Sequence, residues 1–219
     1  MNDATGEPTA TSRLQVPVHY DFASSLCYVA HRVLGRMANF LDEAGLELEW
    51  TPVDLMRLTG WSRGAPVDPV RLEDVRQIAR ALEVPIQVPE RWLDSRAASA
   101  IALHLADQPK REATWRERVF TAIYEESLRP DDLPELQRLG GELEIAASPE
   151  AIDSGLRELE VRTEAARKAQ VSGVPCFMLG QWPFGGIQDE ATMRAVLGRW
   201  ASRQQRPARP TLPWGDGPA

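Results

Sequence analysis

Two segments far apart in the chain carry the side chains best placed for chemistry: Asp21-Phe22-Ala23-Ser24-Ser25-Leu26-Cys27-Tyr28 and Ser172-Gly173-Val174-Pro175-Cys176-Phe177. In the first, alternating apolar residues run up to Phe22 and a helical spacing begins at Ser25, which puts Ser24 at a helix N-terminus. Unpaired N–H groups and the helix dipole favour negative charge there. A cysteine in that place would be acidified to a thiolate. The hydroxyl of Ser24 starts from far too high a pKa to become a nucleophile by the same route. It can cap the helix by accepting a backbone N–H, or donate a hydrogen bond to a thiolate supplied by another molecule. Cys27 is either a small buried hydrophobe or a thiol near the site, and with serine at position 24 a two-cysteine exchange cycle cannot close within this motif. His31, one helical turn beyond Cys27 on the same face, reads as an ordinary helical histidine. Cys176 reads as core, with a Cys27–Cys176 pairing as the lesser alternative.

The surrounding pattern says which elements must position these residues. Val16, Val18, Tyr20 and Phe22 alternate with Pro17, His19 and Asp21, the period of a strand with one apolar face. From Ser25 to about Ala44 the apolar residues Tyr28, Val29, Val33, Met37, Phe40 and Leu41 recur at three and four, which predicts one helix closed by Gly45. Leu46, Leu48 and Trp50 alternate again and stop at Thr51-Pro52. A β-α-β unit follows, with parallel strands and a right-handed crossover. Between about Val53 and Arg167, prolines separate amphipathic segments at Val70 to Leu82, Ser95 to Leu105, Thr114 to Glu126 and Pro149 to Gln170, which predicts helices without strands. Strand signals return at Cys176 to Leu179 and Trp182 to Phe184, around a turn at Gly180-Gln181, before a closing helix from Asp189 to Trp200. The expected division is a flexible N-terminus over 1–13, a first α/β half over 14–55, a helical insertion over 56–167, a second half over 168–202 and a disordered tail over 203–219.

Composition narrows the function classes. The 219 residues are 43% hydrophobic, enough for a sizeable core. A formal charge of −7 offers no basic field for nucleic acid or an anionic membrane surface. Two cysteines are too few for a secreted disulfide scaffold, and their separation fits no zinc spacing, so no metal is expected. No secretory signal pattern is visible at the N-terminus, and no run approaches the ~18 consecutive apolar residues of a membrane span. A cytoplasmic location is expected.

The order and spacing of several short motifs resemble the DsbA family of the thioredoxin superfamily over roughly residues 15 to 201. They are Asp21-Phe22 with Cys27-Tyr28, Trp50-Thr51-Pro52-Val53-Asp54-Leu55, Val84-Pro85 with Pro89, Trp92 and Ser95-Arg96, Gly173-Val174-Pro175, and Phe184-Gly185-Gly186-Ile187-Gln188. The branch resembled holds FrnE-like oxidoreductases, 2-hydroxychromene-2-carboxylate isomerases and kappa-class glutathione transferases. The resemblance implies an α/β thioredoxin fold, β-α-β then β-β-α, carrying a large inserted all-helical domain. It places Ser24 and Cys27 at the two positions of a Cys-x-x-Cys motif and makes them the catalytic pair of positions. Val174 and Pro175 become a cis-proline loop facing the helix, where a cysteinyl backbone can pair with Val174 like an added strand. Gln188 and Asp189 fall in the turn that meets the γ-glutamyl end of glutathione in related transferases. Cys176, Trp61, Trp92 and Arg96 are further site candidates. The aromatics would wall an apolar acceptor site, and Arg57, Arg63 or Arg96 would meet a substrate carboxylate, although core packing or a solvated surface is the commoner fate of each.

The function implied is a thiol-dependent isomerase or transferase of the 2-hydroxychromene-2-carboxylate isomerase type. Ser24 would stabilise the thiolate of glutathione or another small thiol, an electrophile would be the second partner, and a homodimer remains open. The alternatives are a FrnE-like thiol-disulfide oxidoreductase with a degenerate Ser-x-x-Cys motif, and a non-catalytic peptide-binding module.

Overall fold

A computed structural model describes residues 13–205. Apart from Arg13 and residues 203–205, the segments expected to be flexible or disordered lie outside the described residues.

Four strands form one mixed sheet in the order β2-β1-β3-β4: β1 (Leu14–Tyr20), β2 (Leu46–Pro52), β3 (Cys176–Leu179) and β4 (Trp182–Gly185). Strand β1 pairs in parallel with β2, while β3 is antiparallel to both β1 and β4. The two-residue alternation explains the central strand, since Val16, Val18 and Tyr20 are fully buried and the residues between them are less so. Phe22 continues the pattern and is fully buried, but it lies past the strand, in the turn that leads to Ser24.

The single helix expected over 25–44 is two helices, α1 (Ser25–Arg36) and α2 (Ala38–Glu43). Met37 takes φ −93 and ψ 8, and its N–H closes a tight turn on the Leu34 carbonyl at 3.0 Å. Met37 and Leu41 stay buried across this break, so the apolar spacing runs through it. Gly45, with φ +64, then turns the chain into β2, using the left-handed region that glycine enters freely.

The helical insertion contains α3 (Leu55–Thr59), α4 (Pro69–Ala81), α5 (Arg96–His104), α6 (Pro109–Tyr124), α7 (Leu133–Glu142) and α8 (Pro149–Lys168). Its prolines punctuate because they open helices. Pro69, Pro109, Pro134 and Pro149 stand in first turns, three of them behind the capping side chains of Asp68, Asp132 and Ser148. Helices α3 and α7 were not among the expected segments, and α6 begins five residues before Thr114. Helices α5 and α8 approach until their backbones touch, because a Cβ on Gly155 would lie 2.1 Å from the Ala100 carbonyl oxygen. The insertion shares its core with the sheet. Phe120 of α6 packs 4.9 Å from Phe22 and 5.9 Å from Tyr20 between ring centroids, and Tyr124 stacks 5.0 Å from Tyr28 of α1. The closing helix α9 (Glu190–Gln204) extends four residues past Trp200, into the segment expected as tail. Among the described residues no helix is long and apolar enough to cross a membrane.

Candidate active site

The turn between β1 and α1 is held by one buried carboxylate. Asp21 is 2% exposed. Its Oδ1 accepts the Ala23 N–H at 2.8 Å and the Ser95 hydroxyl, and its Oδ2 accepts the Leu55 N–H at 2.7 Å. Three segments that are distant in sequence therefore converge on this side chain: the start of α1, the start of α3 and the start of α5. Burial pushes the Asp21 carboxyl up to about 6, against the pull of those three donors, with the neighbouring Asp54 adding to the rise. A second tie comes from α6, where the Tyr124 hydroxyl donates to the Phe22 carbonyl at 2.8 Å.

Ser24 emerges from this turn as the N-cap of α1. It is 6% exposed, and its Oγ accepts the Cys27 N–H at 3.3 Å. The hydroxyl proton goes to the Val174 carbonyl at 3.4 Å. The Val174-Pro175 bond is cis, and the Pro175 carbonyl accepts the Gly186 N–H at 2.8 Å. The two segments singled out in the sequence are thus in direct contact, with the serine hydroxyl as the bridge.

A cavity of about 260 Å3 opens beside this bridge. Ser24, Ser25, Gly173 and Val174 make its polar end; Leu55, Val67, Val75 and Val88 make apolar walls. Trp61 and Trp92 also line it, stacked on each other with centroids 4.3 Å apart at 22°. Helix N-terminus, hydroxyl and apolar wall together suit a small ligand with a negatively charged head and an apolar body.

Both cysteines are free and buried. Burial pushes the Cys27 thiol up to about 12, against the pull of the Ser24 hydrogen bond, with smaller upward contributions from the nearby Asp21 and Cys176. The Cys176 thiol is raised by burial as well. At neutral pH neither side chain is a thiolate, so neither is an attacking nucleophile in this arrangement. Cys27 packs in the main core, and Cys176 packs with Val53, Ala166, Val171 and Met178.

The other expected site residues divide. Trp61 and Trp92 line the cavity; Gln188, Asp189, Cys176 and Arg96 do not. Asp189 caps α9 by accepting the Thr192 N–H at 2.9 Å. Arg96 pairs with Asp94 at 2.6 Å, Arg57 with Glu160 at 2.6 Å, and Arg63 with both Asp54 and Asp94. His31 contacts Glu117 at 2.8 Å and packs its ring near Trp50 and Phe120.

Two residues escaped the sequence reading. Asp21 registered only as part of a motif, although a carboxylate just past an alternating apolar strand signals a buried acceptor. Arg71 lines the cavity with its guanidinium 4.4 Å from the centre of the Trp61 ring. Asp68-Pro69 locates it in the first turn of a helix, but nothing local in sequence points to Trp61. Among the described residues no group of histidine, cysteine and carboxylate side chains could hold a metal ion.

A family model described as the DSBA-like thioredoxin domain matches residues 15–198. Solved structures with the same fold include a 2-hydroxychromene-2-carboxylate isomerase, with TM-score 0.68 and 21% identity over 87% of this chain and 98% of the other. Another is the cytosolic disulfide reductase DsbM from Pseudomonas aeruginosa with GSH, with TM-score 0.61 and 20% identity over 88% of this chain and 98% of that one. No curated protein matches the chain by sequence.

Proposed function

The chain belongs to the DsbA-like thioredoxin family, and on that premise we propose that it is a thiol-dependent isomerase or transferase in which Ser24 holds the sulfur of glutathione or another small thiol. The observation that carries this reading is the pairing of a cavity-lining serine at a helix N-terminus with two cysteines that are both buried. A reacting sulfur must then come from outside the chain. The present acceptor of the Ser24 proton is the Val174 carbonyl at 3.4 Å, a long and weak bond. A thiolate entering the cavity can take over that proton at small cost, and the end of α1 stabilises its charge. Val174 and Pro175 lie where a cysteinyl backbone would run, beside the sulfur.

The chemistry follows from that placement. The thiolate sulfur bonds to an electrophilic carbon of an unsaturated substrate, and the displaced π electrons pass to a conjugated carbonyl. If the former double bond rotates and the electrons then return to expel the sulfur, the substrate is released as its geometric isomer and the thiolate is regenerated. If the new carbanion or enolate takes up a proton, a conjugate is released. The apolar walls carry the body of the substrate and exclude water. Solved structures with this fold include a 2-hydroxychromene-2-carboxylate isomerase and a disulfide reductase with GSH, and the second supports a small-thiol site in this fold. A cytoplasmic setting, where small thiols stay reduced, suits the proposal. Disulfide exchange by the chain's own sulfurs is disfavoured by the Cys27 thiol at about 12.

Calorimetric titration with glutathione, for wild type and Ser24→Ala, is the test. Wild type should bind saturably and lower the thiol pKa of bound glutathione. Ser24→Ala should weaken thiolate binding by roughly 1.5–3 kcal/mol, the range for a hydrogen bond to a charged group. Loss of the cap, about 0.5–2 kcal/mol of folding stability, is read separately by urea unfolding. The proposal fails if small thiols do not bind, or if Ser24→Ala leaves both affinity and thiol pKa unchanged.

A further inference from the structure

Resting on the thiol-binding reading of the cavity, we propose that Arg71 is its specificity-determining residue and selects a second substrate bearing a carboxylate. Five arginines stand on or beside the insertion near this site, and four of them are committed. Arg57, Arg63 and Arg96 each meet a carboxylate within 4 Å, and the Arg91 guanidinium donates to the Gly64 carbonyl at 2.7 Å. Among the described residues the Arg71 guanidinium has neither a hydrogen-bond acceptor nor an ion-pair partner. Asp68 spends its Oδ1 on the Val70 and Arg71 backbone N–H groups, and Asp74, one turn along α4, forms no ion pair with it.

Arg71 is nevertheless held in place. Its guanidinium lies 4.4 Å from the centre of the Trp61 ring, and the other face of Trp61 is covered by Trp92 at 4.3 Å. That contact holds the group against the ring and leaves its N–H donors without a protein acceptor among the described residues, available to a carboxylate that takes two parallel hydrogen bonds. Both faces of Trp61 are occupied, so the substrate does not stack on it. Its apolar body lies instead along Val67, Val75 and Val88, between Arg71 and the Ser24 end. The Arg91 guanidinium also lines the cavity but is tied to the Gly64 carbonyl, so among the described residues Arg71 is the cavity-lining cation with its donors free, and it discriminates between an acid and its neutral analogue because only the acid supplies the missing partner.

The carboxylate at Arg71 could in principle belong to the thiol or to the acceptor, and the geometry favours the acceptor, since the thiol is anchored at Ser24 and Val174. The probes are trans-cinnamate and its neutral isostere cinnamamide, titrated calorimetrically at pH 7.5 into wild type, Arg71→Met and Arg71→Lys, with glutathione titrated in parallel. Cinnamate should bind wild type at least about tenfold tighter than cinnamamide, the factor one net charge-assisted pair supports. Arg71→Met should bring that ratio to near one with glutathione affinity unchanged, and Arg71→Lys should keep part of it. A ratio near one in wild type, a ratio that survives Arg71→Met, or no saturable binding of either probe overturns the assignment. So does a loss of glutathione affinity in Arg71→Met matching the loss for cinnamate, which would make the carboxylate the thiol's. If cinnamate selectivity depends on Arg71 while glutathione does not bind, the thiol-dependent function falls and the role of Arg71 stands.

Discussion

Replacement of Asp21 by asparagine tests the node on which the site is built. Burial lifts this carboxyl from an ordinary 3.8 to about 6, so the folded protein holds the proton more tightly than the unfolded chain does. The stability contributed by that proton is complete below about 3.8 and is lost as pH rises through about 6. At about 1.4 kcal/mol per pKa unit, the full swing is about 3 kcal/mol, of which about 2.4 is recovered on going from pH 7 to pH 4. Asparagine keeps an oxygen for Ala23 and Ser95 but turns an amide N–H toward the Leu55 N–H. That conflict is independent of pH and adds only a constant. Urea unfolding of wild type and Asp21→Asn at pH 7 and pH 4 isolates the effect, because every other titrating group cancels in the difference. Relative to the variant, wild type should gain about 2–3 kcal/mol at the lower pH. A difference that stays constant with pH, or changes in the opposite sense, would refute the claim that this buried carboxylate is held against its own charge.

Three further outcomes are expected. Neither Cys27 nor Cys176 should react quickly with an aromatic disulfide reagent at pH 8 in the native state, both should react in urea, and one fast native thiol would revive the exchange reading. Gly155→Ala should cost at least about 2 kcal/mol, through overpacking against the Ala100 carbonyl; an unchanged melting temperature would mean that α5 and α8 do not touch there. Ser95→Ala should destabilise the protein by about 1–3 kcal/mol at pH 7, by removing a donor from a buried carboxylate; no loss in unfolding free energy would show that Asp21 does not depend on that bond.

What the chain reveals before folding follows the length scale of each signal. The period-two runs around Val16 to Tyr20 and Leu46 to Trp50 announce strands because one face of each must be buried. Prolines at 69, 109, 134 and 149 announce helix starts through their fixed φ. The turn at Met37 is invisible because a single altered ψ leaves the apolar spacing of Met37 and Leu41 intact. Helix α7 hides behind Gly140 and Gly141, which read as breakers, and α3 is too short to show a period. At the site, Ser24 and Val174 could be matched because their neighbourhoods are distinctive. The arginines could not, since whether a guanidinium finds a carboxylate depends on helices that cross far apart in sequence. Arg57, Arg63 and Arg96 turned out paired, and Arg71 did not.

Helix α8 bears on how such chains could be recombined. Its first half packs within the insertion through Ile152 and the Gly155 contact with α5. Its second half belongs to the other body: Ala166 packs with Val53, Val171 and Cys176, and the Thr163 hydroxyl accepts the Asp54 N–H at 2.8 Å. Twenty residues of uninterrupted helix, about 30 Å, therefore act as a strut crossing the boundary that sequence places at residue 167. The insertion is not a cassette that can be lifted out. A chimera joined at 167 would cut one hydrophobic cluster in two, whereas a junction in the 144–148 segment, ahead of Pro149, would carry the strut and the Val174 wall of the cavity across together.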